Sequence, residues 1–317
     1  MPAVLAVLLA AVCFGTTGTA QAFAPAGAEP ASIGAARILI GGVLLALVAV
    51  GLRMHARARA AHPTPARPPA AHRPRPVRPR GPEVALVLLG ALGVLAYQPA
   101  FFAGTSSNGV AVGTVVALGS APVITGLLSW PLTGRAPTPR WFAATAVALV
   151  GVTLLSGVLA PQPGAGGISV PGLLASLGAG ASYAVYTLAS KALLDRGGTP
   201  SGTMGAVFGV AAVGSLPLLL AGDTSWLLTP DGLAVALYLG VVTTGVAYVL
   251  FGWGLGRLSA ATVSTLTLAE PLTATLLGTL VLGELLSPAA AAGLIVLAAG
   301  IVLLTLPARR RLSVASR

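Results

Sequence analysis

The chain has 317 residues, of which 18 are Lys or Arg and 7 are Asp or Glu, while 56% are hydrophobic and 41 are glycine. A mean hydropathy of +0.92 with 8% charged residues excludes an ordinary soluble domain, in which about 25% would be charged. The formal charge of +11 does not mark a nucleic-acid partner: eight arginines crowd into residues 53–80, the others punctuate apolar runs, and no basic helix or aromatic stacking surface is offered to a polyanion.

A helix needs about 20 apolar residues to cross a bilayer core, and ten segments have that character: 2–24, 31–52, 83–103, 109–132, 141–160, 169–194, 201–221, 232–255, 259–282 and 287–306. The first ends in Ala20-Gln21-Ala22, which resembles a signal-cleavage site, but it lacks a basic leader and its apolar run is too long. It contains Cys13, the only cysteine, so an intrachain disulfide and a thiolate metal site are excluded. The second carries Arg37 about six residues, or ~9 Å, inside its outer end, where it either snorkels to the surface or meets substrate or Glu270. Between the second and third lies 53–82, with eight prolines, eight arginines and His55, His62 and His72. This composition predicts a disordered cytoplasmic loop that sets topology and is drawn to anionic lipid headgroups. Its histidines lack the spacing and acidic co-ligands of a metal site. Removing 57–79 is predicted to leave insertion and transport intact.

The third segment holds Tyr97 and Gln98, the fourth Ser120 and Pro122, the sixth Tyr183, Tyr186 and Lys191, the eighth Tyr248, and the ninth Thr267, Glu270 and Pro271. Trp130, Trp141 and Trp226 fall near segment ends and read as interfacial anchors. Gly109/Gly113, Gly205/Gly209 and Gly252/Gly256 have the spacing of close helix packing. The glycines at 252, 254 and 256 lack the strand that a dinucleotide loop requires.

With the N-terminus cytoplasmic, the inner connections and the C-terminal tail hold 17 of the 18 basic residues, while Glu29, Asp223, Asp231 and Glu284 lie outside. This segregation predicts ten spans with both termini inside. Shifting the chain by 149 residues aligns 122–155 with 271–304 at ten identities in 34, including Pro122 with Pro271, Gly134 with Gly283, Pro139 with Pro288 and Gly151 with Gly300. The expected organisation is therefore a first five-helix repeat in 1–160, a second in 161–306, and a basic tail at 307–317. Five is odd, so the second repeat is inverted. That arrangement suits a carrier with a midplane site.

The paired segments Leu118-Gly119-Ser120-Ala121-Pro122 and Leu268-Ala269-Glu270-Pro271, each followed by Gly134-Arg135 or Gly283-Glu284, resemble the drug/metabolite transporter superfamily, and within it the EamA-type ten-helix members. Phe14-Gly15, Arg37, and Tyr183 with Lys191 also look like family positions. The resemblance implies export of amino acids, metabolites or toxic organic compounds, often driven by protons. Two departures stand out: the long 53–82 loop, and Ala121 where the second repeat has Glu270.

Glu270 is the sole carboxylate inside an apolar span, where a charge costs roughly 2.5–3.5 kcal/mol on insertion scales. It is read as binding a proton or pairing with a cationic substrate, against the alternative of a neutral structural acid. Pro122 and Pro271 are expected to interrupt their helices at matched places beside the site, with Ser120 and Thr267 lining the same cavity. Tyr97, Gln98, Tyr183, Tyr186 and Tyr248 are candidates to enclose an apolar metabolite and orient it, or else to act as interhelical packing. Lys191 is read as snorkelling. No catalytic constellation, metal set or cofactor loop is present in the pattern. The reading is an all-α proton-linked exporter of the cytoplasmic membrane, not an enzyme. A passive facilitator and a membrane-embedded enzyme or lipid-handling protein are the alternatives. Expected partners are a small-molecule substrate, protons, the lipid bilayer and, as an assembly, a homodimer.

Overall fold

The computed structural model describes residues 1–61, 81–158 and 168–306, and these fold into helices joined by short turns. In chain order they are α1 (Pro2–Ala22), α2 (Pro30–Ala61), α3 (Gly81–Thr133), α4 (Pro139–Leu155), α5 (Val170–Asp195), α6 (Pro200–Ala221), α7 (Pro230–Gly240), α8 (Ala247–Leu255), α9 (Ala260–Leu266), α10 (Ala269–Val281) and α11 (Pro288–Thr305). A π-turn, Val241–Val246, joins α7 directly to α8. Among the described residues seven helices, counting Pro230–Leu255 as one, are long and apolar enough to cross a membrane.

The helix starts follow a local rule. Thr138, Thr199, Thr229 and Ser287 each precede a proline at the first helical position, and each hydroxyl accepts the amide three residues on, at 3.1 to 3.2 Å. Ser169 and Ser259 cap α5 and α9 in the same way. Proline there sacrifices only an amide with no intrahelical partner, while the hydroxyl satisfies another.

As one rod, the 53-residue α3 would be ~80 Å long, far beyond a bilayer. It breaks at Gly109, whose φ of 79° lies in the left-handed region, and its two limbs double back, with Gly113 against Thr105. The second limb is continuous through Pro122, so the expected interruption there does not form. Helix α5 packs along both limbs: Gly93 meets the Ser182 carbonyl, and Gly180 meets the Ala117 carbonyl. Helices α2 and α6 cross where Gly205 meets the Leu45 carbonyl and Gly42 the Phe208 carbonyl; Gly205 thus serves as the packing position its spacing suggested.

Two further readings are corrected. Helix α2 continues to Ala61 rather than yielding to disorder at 53. Arg53 through Ala61 are mostly strong helix formers, and the first proline is Pro63. The remainder of the 53–82 loop lies outside the described residues from 62 to 80. Trp141 and Trp226 are not interfacial anchors: both are buried, with indole N–H groups donating to the Ala261 carbonyl at 2.8 Å and the Ser32 hydroxyl at 2.9 Å. Trp130, by contrast, is exposed. The main core gathers Val7, Phe14, Leu45, Met204, Phe208, Phe251 and Leu255. A smaller core of Ile33, Ala36, Leu219, Trp226, Val235 and Leu239 packs at one end of it.

Candidate functional site

Pro271 creates the local geometry around Glu270. It has no N–H to give the Thr267 carbonyl, so the Glu270 amide donates to that carbonyl at 2.9 Å instead, one residue short of the α-helical pattern. Leu268 donates to Thr265 in the same tight manner, at 3.1 Å. The helix therefore breaks at Thr267–Leu268 and restarts at Ala269 with Glu270 in its first turn. Gly15 of α1 lies flush against this break, where a methyl would come within 2.7 Å of the Glu270 carbonyl oxygen.

Thr267 ties the break to α5. Its hydroxyl donates to the Ser264 carbonyl at 2.8 Å, so in the 2.8 Å bond between the Tyr183 and Thr267 hydroxyls the tyrosine is the donor. Tyr183 in turn leans on Tyr186, with ring centroids 5.0 Å apart. Tyr186, Phe208, Tyr248, Phe251 and Phe14 continue the cluster; Phe208 and Tyr248 lie 4.0 Å apart and Phe14 and Tyr248 5.0 Å apart.

Phe14, Tyr183, Tyr186, Phe208 and Tyr248 wall a narrow cavity of about 60 Å³, also lined by Thr17, Arg37, Ile38, Val94, Tyr97, Gln98, Thr244 and Glu270. That is room for a few water molecules, so a larger occupant requires the surrounding rings to move apart. Arg37 and Glu270 are both half-buried, yet the one ion pair among the described residues is Lys191 with Asp195, at 2.9 Å on the same helix. The Arg37 Nε is buried without a hydrogen-bond partner among the described residues. A guanidinium and a carboxyl group thus line one aromatic chamber without an ion pair between them.

The structure brings Arg37, Tyr97, Gln98, Tyr183, Tyr186, Tyr248 and Glu270 together here. Thr267 stands behind Tyr183 rather than on the wall. Ser120 is elsewhere, in a separate apolar crevice with Val116, Leu149 and Leu177, where its hydroxyl donates to the Ala117 carbonyl at 3.2 Å. Pro122 is buried within its continuous helix, so only Pro271 breaks a helix beside the chamber. Thr17, Ile38, Val94, Phe208 and Thr244 were not singled out from sequence. Phe208, a mid-segment ring in a chain with only seven phenylalanines, offered a signal; the others are ordinary residues of apolar helices.

The sequence profile of the EamA-like transporter family matches residues 1–157 and 170–306. The chain belongs to the EamA-like transporter family. This EamA-like chain is 41% identical over 308 residues to the uncharacterized transporter YwfM of Bacillus subtilis, a match covering 97% of this chain and 95% of that protein. It is also 32% identical over 123 residues to the threonine/homoserine exporter RhtA of Escherichia coli K12, covering 38% of this chain and 40% of RhtA. A crystal structure with 22% sequence identity shares the fold at a TM-score of 0.73, covering 96% of this chain and 98% of the other. The protein is a multi-pass membrane transporter of the drug/metabolite transporter superfamily, not an enzyme.

Proposed function

We propose that this EamA-like protein exports an amino-acid-like zwitterion across the cytoplasmic membrane, exchanging it for protons by alternating access at the Arg37–Glu270 chamber. The observation that carries this is a guanidinium and a carboxyl group on the wall of one aromatic cavity with no ion pair to either among the described residues. A substrate carboxylate would face Arg37, its ammonium Glu270, and its apolar remainder the rings of Tyr186, Phe208 and Tyr248. Intramembrane charges are expensive and are retained where they have partners, and a zwitterion supplies both. The relative RhtA, a threonine/homoserine exporter, supports the same substrate class.

In this reading ten spans form two inverted five-helix repeats with both termini cytoplasmic. The contact between α4 and α11 supports it. Gly151 packs on Leu297 and Gly300 packs on Ala148, and the shift of 149 pairs Gly151 with Gly300 and Ala148 with Leu297. Such reciprocity is what a two-fold relation produces. The equivalent Gly134 and Gly283 also share a left-handed φ, 67° and 69°.

Glu270 would hold either a proton or the substrate cation, which makes proton binding and substrate binding exclusive and couples proton uptake to substrate release. The test is uphill export by vesicles under an imposed pH gradient. Wild-type protein should concentrate substrate, and Glu270→Gln should only equilibrate it. Undiminished gradient-driven transport by Glu270→Gln overturns the coupling role, and equilibration alone by the wild type identifies a passive facilitator.

A further inference from the structure

The π-turn at Val241–Val246 separates two packing faces of one span. Its amides reach back five residues, as Ala247 N–H does to the Val242 carbonyl. A single π-turn amounts to one extra residue within an α-helix, so it rotates everything beyond it by ~100°. On its N-terminal side, Val235, Ala236 and Leu239 belong to the smaller core with Ile33 and Trp226. On its C-terminal side, Ala247, Tyr248, Phe251 and Leu255 belong to the main core with Phe14 and Phe208. The extra residue keeps both faces in register. In an unbroken helix that held the first core in place, Thr243 and Ala247 would stand where Thr244 and Tyr248 now face the chamber.

The turn also fixes the chemistry of Thr244. The Thr243 and Thr244 hydroxyls both donate to the Leu239 carbonyl, at 2.7 and 3.1 Å. With its proton engaged there, Thr244 Oγ1 can offer only lone pairs to the cavity it lines. Its side chain is buried and packs against Gly41, one helical turn along α2 from Arg37. Gly41 cannot be larger, because a methyl there would overlap the Thr244 side chain and lie 2.7 Å from the Gly240 carbonyl oxygen.

We infer that Thr244, turned into the chamber by the π-turn, is a specificity residue whose hydroxyl accepts a hydrogen bond from a donor group, such as an ammonium, of the transported molecule. This rests on the reading of the chamber as the transport site. Apolar molecules of the same size would leave that acceptor unpaired and be disfavoured.

The test uses full-length protein expressed in cells, with the released primary amines derivatised and quantified by mass spectrometry. Thr244→Val is nearly isosteric and removes the acceptor, Thr244→Ser retains it, and Arg37→Met tests the chamber itself. At matched levels of folded protein, Thr244→Val should need about tenfold more intracellular amine for half-maximal release, with the maximal rate little changed, while Thr244→Ser should behave as wild type. Wild-type behaviour of Thr244→Val, or an equal loss in Thr244→Ser, overturns the inference; if Arg37→Met has meanwhile abolished release, the chamber reading stands without it. Full release by Arg37→Met and Thr244→Val alike overturns the chamber reading, and no amine release above background by the wild type overturns both.

Discussion

The α4–α11 contact can be tested by adding one methyl. At Gly151 it would lie 2.6 Å from Leu297 Cα, whereas carbons in contact sit at ~3.5–4.0 Å, so α11 must retreat by about 1 Å. The opposing atoms belong to a helix backbone and cannot swing aside as a side-chain tip would. Overpacking of this kind costs about 1–3 kcal/mol, and the helix-propensity gain of Gly→Ala offsets about 1 kcal/mol of it. Gly18 of α1 isolates the two effects, because a methyl there meets nothing within 4 Å; Gly18→Ala should keep the propensity gain alone. Thermal unfolding of detergent-solubilised protein should therefore rank Gly18→Ala at or above wild type and Gly151→Ala below it. Gly300→Ala, whose methyl would lie 2.9 Å from Ala148 Cα, should match Gly151→Ala, and the double variant should lose less than their sum, since both separate the same pair of helices. If Gly151→Ala melts with or above wild type, the helices are not in the contact described.

Trp141→Phe removes the indole donor of the Ala261 carbonyl, which still accepts from the Ser264 and Thr265 hydroxyls, so a loss of about 0.5–1.5 kcal/mol is expected, read as a lowered melting temperature. Tyr183→Phe and Thr267→Val each remove the hydroxyl bond between α5 and the helix break, so each should slow transport and the pair together should be no worse than the more severe one, which single-turnover export would show. Asp223 lies outside the membrane-spanning helices, and the Ser225 amide and hydroxyl that donate to it, both at 2.8 Å, hold its carboxyl below the usual range. Its folded value being the lower one, the stabilisation it gives is complete above the ordinary carboxylate value near ~4 and is lost as pH falls through the folded value; exchange of the Ser225 amide should reveal it. Because α2 extends to Ala61, removing 57–79 would cut an existing helical turn, and a deletion confined to 63–79 is expected to be the better tolerated by yield of folded protein.

The residues legible in the sequence were those whose chemistry is conspicuous in an apolar segment: Arg37, Glu270 and the tyrosines needed no structure to attract notice, and the structure gathers them in one chamber. Thr244 was silent because threonine is common in such helices, and its direction depends on a π-turn that no local residue pattern announces. The symmetry of Pro122 and Pro271 was a weaker guide than it seemed. A proline interrupts a helix only where neighbours accept the bend, and Gly15 allows that at Glu270, whereas the limb holding Pro122 stays continuous between α4 and α5. Tryptophans near segment ends misled for a related reason, since hydropathy records distance along the chain and not which neighbour, Ala261 or Ser32, takes the indole proton.

The six Ser and Thr caps bear on mechanics as well as on where helices begin. Each cap keeps one first-turn amide bonded within the chain when its helix tilts, so the capped end has fewer hydrogen bonds to exchange with its surroundings and moves more nearly as a rigid lever. Flexing is then left to the few places where the backbone departs from regular helix, at Gly109, at Val241–Val246 and at Thr267–Leu268. Two of these three border the chamber, so in the proposed transport cycle the residues that would hold the cargo also sit where the surrounding helices would pivot.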